Sequence, residues 1–114
     1  MNDCLFCKII NKQIPAEILV ENEDVLAFND INPQAPIHIL VIPKTHIASI
    51  SQVKKEHSQI ISKIIKTIQN IAQKTGIIES GFRVVANHGS DAGQAVDHLH
   101  FHILGGRKMQ WPPG

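Results

Sequence analysis

Between His98 and Leu104 imidazole and apolar side chains alternate without a break: His98-Leu99-His100-Phe101-His102-Ile103-Leu104. A period of two predicts a strand, because successive side chains of an extended backbone point to opposite faces. Leu99, Phe101 and Ile103 are expected to face a core. His98, His100 and His102 would line the other face, roughly 6 to 7 Å apart at strand rise. A solvated polar face is the ordinary alternative, but three of the seven histidines in the chain share this one stretch. Imidazole titrates near neutrality and can move protons, attack as a nucleophile or ligate a metal, so the stretch predicts a site.

A chain of 114 residues is expected to form one domain with a sizeable core. Its net charge of +1, with Lys and Arg scattered, argues against nucleic acid as a partner, since polyanion affinity rests on clustered cations. The longest apolar run, Ile37 to Pro43, is interrupted by His38 and is far shorter than a membrane span, so no membrane partner is expected. Met1-Asn2-Asp3-Cys4 lacks the pattern of a signal peptide, and a cytoplasmic location is the expectation. In that compartment Cys4 and Cys7 are expected as thiols or metal ligands rather than a structural disulfide.

Cys4-Leu5-Phe6-Cys7 is a C-x-x-C: half of a zinc site, a redox pair or two small buried residues. Lys8 to Gln13 reads as a short helix stopped before Pro15. Glu17 to Glu21 and Val25 to Phe28 read as a hairpin, and Ile37 to Ile42 as a third, mostly buried strand. His38 within it is either a satisfied core histidine or a partner of the histidine strand. A long helix is expected from about Lys54 to Lys74, with Ile60, Ile61, Ile64, Ile65, Ile68 and Ile71 at three-four spacing and Gly76 as its cap. His57 near its start is assigned nothing. Phe82 to Asn87 reads as a fourth strand. The following His88 to Gln94, with Gly89 and Gly93, suits either a phosphate cradle or an ordinary loop. Residues 105–114 are expected as a tail, whose Trp111 either folds back or meets a second copy.

The His98 to Leu104 pattern resembles the His-φ-His-φ-His-φ-φ signature of the histidine triad superfamily of nucleotide hydrolases and transferases, φ being apolar. Further matching segments are Phe6 to Pro15, Phe28-Asn29-Asp30-Ile31, Pro33-Gln34-Ala35-Pro36, Val41-Ile42-Pro43-Lys44, Gly89-Ser90-Asp91 and Trp111-Pro112-Pro113-Gly114. Within the superfamily the chain looks most like the purine nucleoside phosphoramidase branch. The resemblance implies an α+β fold over residues 1–114, an antiparallel sheet of about five strands with one long and one short N-terminal helix, paired as a homodimer. It implies hydrolysis of the P–N bond of a purine nucleoside 5′-phosphoramidate through a nucleotidyl-histidine, with His100 as nucleophile and His102, His38 and His98 beside it. The alternatives are a dinucleoside polyphosphate hydrolase, or a purine-nucleotide-binding regulatory module with incidental turnover.

By the same resemblance Asp30 accepts the ribose hydroxyls and Phe6, Ile9, Phe28 and Ile31 wall the purine of an AMP or GMP unit. Asn87 and the backbone of Gly93 and Gln94 contact phosphate. At Ala95 the branch usually has a serine whose hydroxyl bonds the phosphate. The C-x-x-C resembles bacterial members that hold zinc, which implies Cys4, Cys7, His46 and His98 as ligands of one structural zinc per chain, none being required for the chemistry.

Overall fold

The computed structural model describes residues 3–114. Its elements in chain order are α1 (Leu5–Ile10), β1 (Ile18–Glu21), β2 (Val25–Asn29), β3 (Ile37–Pro43), α2 (Ser58–Thr75), α3 (Ile77–Ser80), β4 (Phe82–Val85) and β5 (Phe101–Gly105). The five strands form one antiparallel sheet in the order β1-β2-β3-β5-β4, as the resemblance implies.

The two faces of this sheet carry different loads. Val25, Ala27, Ile39, Val41, Phe101 and Ile103 pack under the long helix, against Ile64, Ile68, Ile71 and Ala72. Leu26, Phe28, Leu40 and Ile42 point the other way and meet Phe6 and Ile9 of α1. The inner strands β2 and β3 are thus buried on both faces, which is why Ile37–Pro43 reads as an unbroken apolar run rather than an alternation. Direct pairing of Leu40 with His102 and of His38 with Leu104 puts both histidines on the α1 side.

Several sequence expectations shift, among them the fourth strand, which ends at Val85, and the short helix, which ends at Ile10. The short helix begins at Leu5, inside the C-x-x-C, because the Cys4 sulfur accepts the Cys7 N–H and caps it. The long helix begins at Ser58, because the His57 ring accepts the Lys54 N–H and folds 55–57 into a 3₁₀ turn. Ile65 is half exposed, off the buried stripe, while Gly76 at φ 81° ends the helix as expected. Gly105 is the buried last residue of β5, so the tail starts at Gly106, and Trp111 is 81% exposed rather than folded back. No helix among the described residues is long and apolar enough to cross a membrane.

Candidate functional site

The histidine stretch keeps its alternation but not its ladder. Leu99, Phe101 and Ile103 enter the core under α2 as expected, yet strand pairing starts only at Phe101. Before that the chain hydrogen-bonds elsewhere: the Leu99 N–H donates to the Ile47 carbonyl at 2.6 Å, and the His98 ring bonds the Pro43 carbonyl. His98 is therefore fully buried beyond the end of the strand rather than on an open face.

His98, His100 and His38 are each held by a backbone group and His102 by the His38 ring, and those bonds fix where the hydrogens reside. His100 Nδ1 lies 2.6 Å from the His98 carbonyl oxygen, which can only accept. The proton is on Nδ1, and the Nε2 lone pair is free. His38 Nδ1 accepts the Gln34 N–H at 3.0 Å, so its proton is on Nε2, which donates to His102 Nδ1 at 2.9 Å. His102 in turn carries its hydrogen on Nε2. Two neighbouring imidazoles, with ring centroids 5.0 Å apart, thus present one free lone pair and one N–H.

Burial favours the neutral form of His102 and His38. It lowers His102 to about 4, helped by positive charge on His100 and His38 and opposed by Asp30. Burial also lowers His38, although the Asp30 carboxylate, 3.4 Å from its Nε2, pulls the other way. Asp30, His38 and His102 stand close enough to group around an ion. However, the Gln34 N–H on Nδ1 leaves the hydrogen of His38 on Nε2, which makes that nitrogen a donor to His102 rather than a ligand.

His100 and His102 open into a cleft of about 260 Å³ between α1 and the sheet. Six of the residues expected at a nucleotide line it: Phe6, Ile9, Phe28, Asp30, Ile31 and Ala95. Phe6 meets Phe28 and His100 edge-on, at 5.6 and 5.0 Å between centroids. Asn87, Gly93 and Gln94 lie outside the lining. The amides expected at phosphate close a turn instead: Gly93 N–H donates to Ser90 O and Gln94 N–H to Gly89 O. The Gln94 side chain binds Gly89 N, Ala48 O and Val96 O, so its work is to hold the loop. Ile14, Ala16, Leu40 and Val96 also line the cleft. The buried core strand flagged Leu40, but Ile14 and Ala16 lie in a loop with no periodic signal.

The four expected metal ligands do converge. His98 Nδ1 is 3.3 Å from Cys4 Sγ, 3.6 Å from Cys7 Sγ and 3.1 Å from His46 Nδ1, and Cys7 Sγ is 3.4 Å from His46 Nδ1. Ligands about 2.0 to 2.3 Å from a tetrahedral ion are roughly 3.3 to 3.8 Å from one another, so the donor set fits. The His98 Nε2–H is committed to Pro43 O at 2.8 Å, which aims the Nδ1 lone pair into the cluster. Burial raises the Cys4 thiol and lowers His98 to about 4; the first favours a thiol until a cation is present, the second a neutral ligand nitrogen.

The family model described as scavenger mRNA decapping enzyme C-term binding matches residues 3–111. The chain is 46% identical over 112 residues to a 14 kDa zinc-binding protein of Zea mays, covering 96% of this chain and 87% of that protein. It is 44% identical over 112 residues to the adenylylsulfatase HINT1 of Arabidopsis thaliana, covering 96% and 76% respectively. The solved structure of a HIT family hydrolase from Legionella pneumophila superposes with a TM-score of 0.96 at 49% identity, covering 98% of this chain and 100% of that one.

Proposed function

Because the chain belongs to the histidine triad superfamily, we propose that it hydrolyses purine nucleoside 5′-phosphoramidates, cleaving the P–N bond to release the nucleoside monophosphate and an amine. The observation that carries this reading is the His100 ring, buried with its Nδ1 turned to the His98 carbonyl, opening into an apolar cleft with Asp30 on its wall.

The purine lies between Phe6, Ile9, Phe28 and Ile31, and Asp30 accepts the ribose hydroxyls. The His100 Nε2 lone pair attacks the α-phosphorus. The P–N bond breaks with its electron pair on the leaving nitrogen, which accepts a hydrogen bond from His102 Nε2–H and takes up a proton from solvent. The His102 ring lies 5.0 Å from that of His100, and His38 supports it from behind through Nε2–H. Water then attacks phosphorus and releases its proton to solvent, and the bond to His100 breaks to restore the neutral ring.

The cluster of Cys4, Cys7, His46 and His98 holds one structural zinc, in keeping with the name of the maize relative. It supplies no group to the reaction. The exposed Trp111 meets a second copy in a homodimer.

The test is AMP release from adenosine 5′-phosphoramidate by the protein and by a folded His100→Ala variant. Turnover that disappears with this one change supports the reading, and AMP binding with no turnover by either protein rejects it. Adenylyl sulfate belongs in the same assay because of the Arabidopsis relative's name. Faster release from it than from the phosphoramidate would replace the amine with sulfate as the preferred leaving group.

A further inference from the structure

The donor that His102 presents to the cleft depends on a peptide group two steps away. A neutral His38 can carry its hydrogen on either nitrogen; the Gln34 N–H, 3.0 Å from Nδ1, selects Nε2, and the Asp30 carboxylate, 3.4 Å from Nε2, favours the same form. Were that amide to turn aside, the Nδ1–H form of His38 would compete. Its Nε2 would then offer a lone pair to His102 Nδ1, and His102 would answer by moving its own hydrogen to Nδ1. The cleft would face an acceptor where the reaction needs a donor.

The polarity of this hydrogen-bonded pair is therefore set by whatever fixes the loop before β3. Within the loop, the Gln34 side chain donates to Asn32 O at 3.0 Å, and Asn32 N–H donates to Asp30 Oδ1 at 2.8 Å. The restraint from outside the loop comes from the turn after β5. Arg107 Nε donates to the Gln34 carbonyl at 3.0 Å while its Nη1 donates to Lys108 O at 3.1 Å, which braces the guanidinium. Beside it Gly106, at φ 89°, approaches Pro36 so closely that a Cβ would lie 2.9 Å from the ring. Arg107 is absent from the cleft lining.

We propose that Arg107 is a positioning residue: by holding the Gln34 carbonyl, in the peptide group next to the one that carries the Gln34 N–H, it fixes the backbone of Gln34, through it the tautomer of His38, and so the Nε2–H of His102. The consequence for turnover rests on the proposed hydrolysis, whereas the consequence for the imidazole protons stands without it.

The experiment combines long-range ¹H–¹⁵N spectra of histidine-labelled protein with kcat for the phosphoramidate and the Kd for AMP, in the parent, Arg107→Ala and Arg107→Lys. The parent is expected to carry Nε2–H on His38 and His102. In Arg107→Ala the His38 shifts should move toward a mixture of tautomers. Its kcat should fall by roughly three- to tenfold, the effect of losing one hydrogen bond, with Kd for AMP within about twofold. Lysine, which keeps a donor at that reach, should restore most of both. Unchanged ring shifts in Arg107→Ala overturn the proposal whatever happens to kcat. A Kd for AMP rising in step with the loss of kcat overturns it as well, since Arg107 would then be a substrate contact. Moved ring shifts in a protein whose parent cleaves no phosphoramidate uphold the positioning role and reject the hydrolase reading.

Discussion

The carbonyl oxygen of His98 lies 2.6 Å from Nδ1 of His100, while the ring of His98 faces two cysteines and His46. One residue thus joins the cluster of cysteine and histidine donors to the His100 ring. Phe6 makes a second link, edge-on to both His98 and His100 at 5.9 and 5.0 Å between centroids.

Zinc removal is therefore expected to reach the cleft. About one zinc per chain should be found in metal-replete protein, and stripping it, or Cys7→Ser, should lower Tm by at least about 5 °C. AMP affinity should fall too, because Cys4 caps the helix that supplies Phe6 and Ile9. Elemental analysis, thermal melts and AMP titration check this together. Metal-replete protein with far less than one zinc per chain contradicts it.

Gly105→Ala should be destabilising although its backbone is ordinary. A Cβ at that position would lie 2.9 Å from two carbons of Ile77, at the start of α3. Overpacking of this kind costs about 1 to 3 kcal/mol, and Ile77 is buried with little room to yield. Urea denaturation of the variant measures the loss. Partial restoration by Ile77→Val, which removes the Cδ1 contact and keeps the one to Cγ2, would assign the loss to this pair.

Much of this arrangement is legible from side-chain periodicity. The sheet, the long helix and the facing of Leu99, Phe101 and Ile103 follow from patterns of two and three-four, because burial selects side chains. The groups that assign protons in the site do not. The His98 and Pro43 carbonyls and the Gln34 amide are backbone groups, the carbonyl common to every residue and the N–H to every residue but proline, so no residue type announces them. Gly93 and Gln94 are a related case: glycine suits a cradle and an ordinary loop alike, and only the backbone shows that their amides close a turn. The start of α1 within Cys4 to Cys7 was hidden because sulfur is a weak cap that sequence rules do not weigh.

Ala95→Ser tests the place where this chain departs from the phosphoramidase branch. Ala95 lines the cleft with His100 and His102, so a hydroxyl there faces the phosphate in the proposed reaction. A hydrogen bond to a charged group contributes about 1.5 to 3 kcal/mol, which corresponds to a rise in kcat/KM of roughly tenfold or more. A variant no faster than the parent would show that another group already supplies that bond.

Stability should depend on pH through His102 and His38. His102 ionises near 4 in the folded protein, below its ordinary 6.5, and His38 is lowered as well. The unfolded chain therefore binds more protons between these values, and unfolding becomes easier as they bind. The contribution is fully present above about pH 6.5 and is lost progressively as the pH falls toward 4. Glu21, lowered by Lys12 and Lys44, loses its part only at the acidic end of this range, so the interval above pH 5 isolates the histidines. The urea midpoint should be level between pH 8 and 7 and decline from 6.5 to 5, with a shallower decline in His102→Gln. Equal slopes in parent and variant would show that burial of the His102 ring does not exclude its proton.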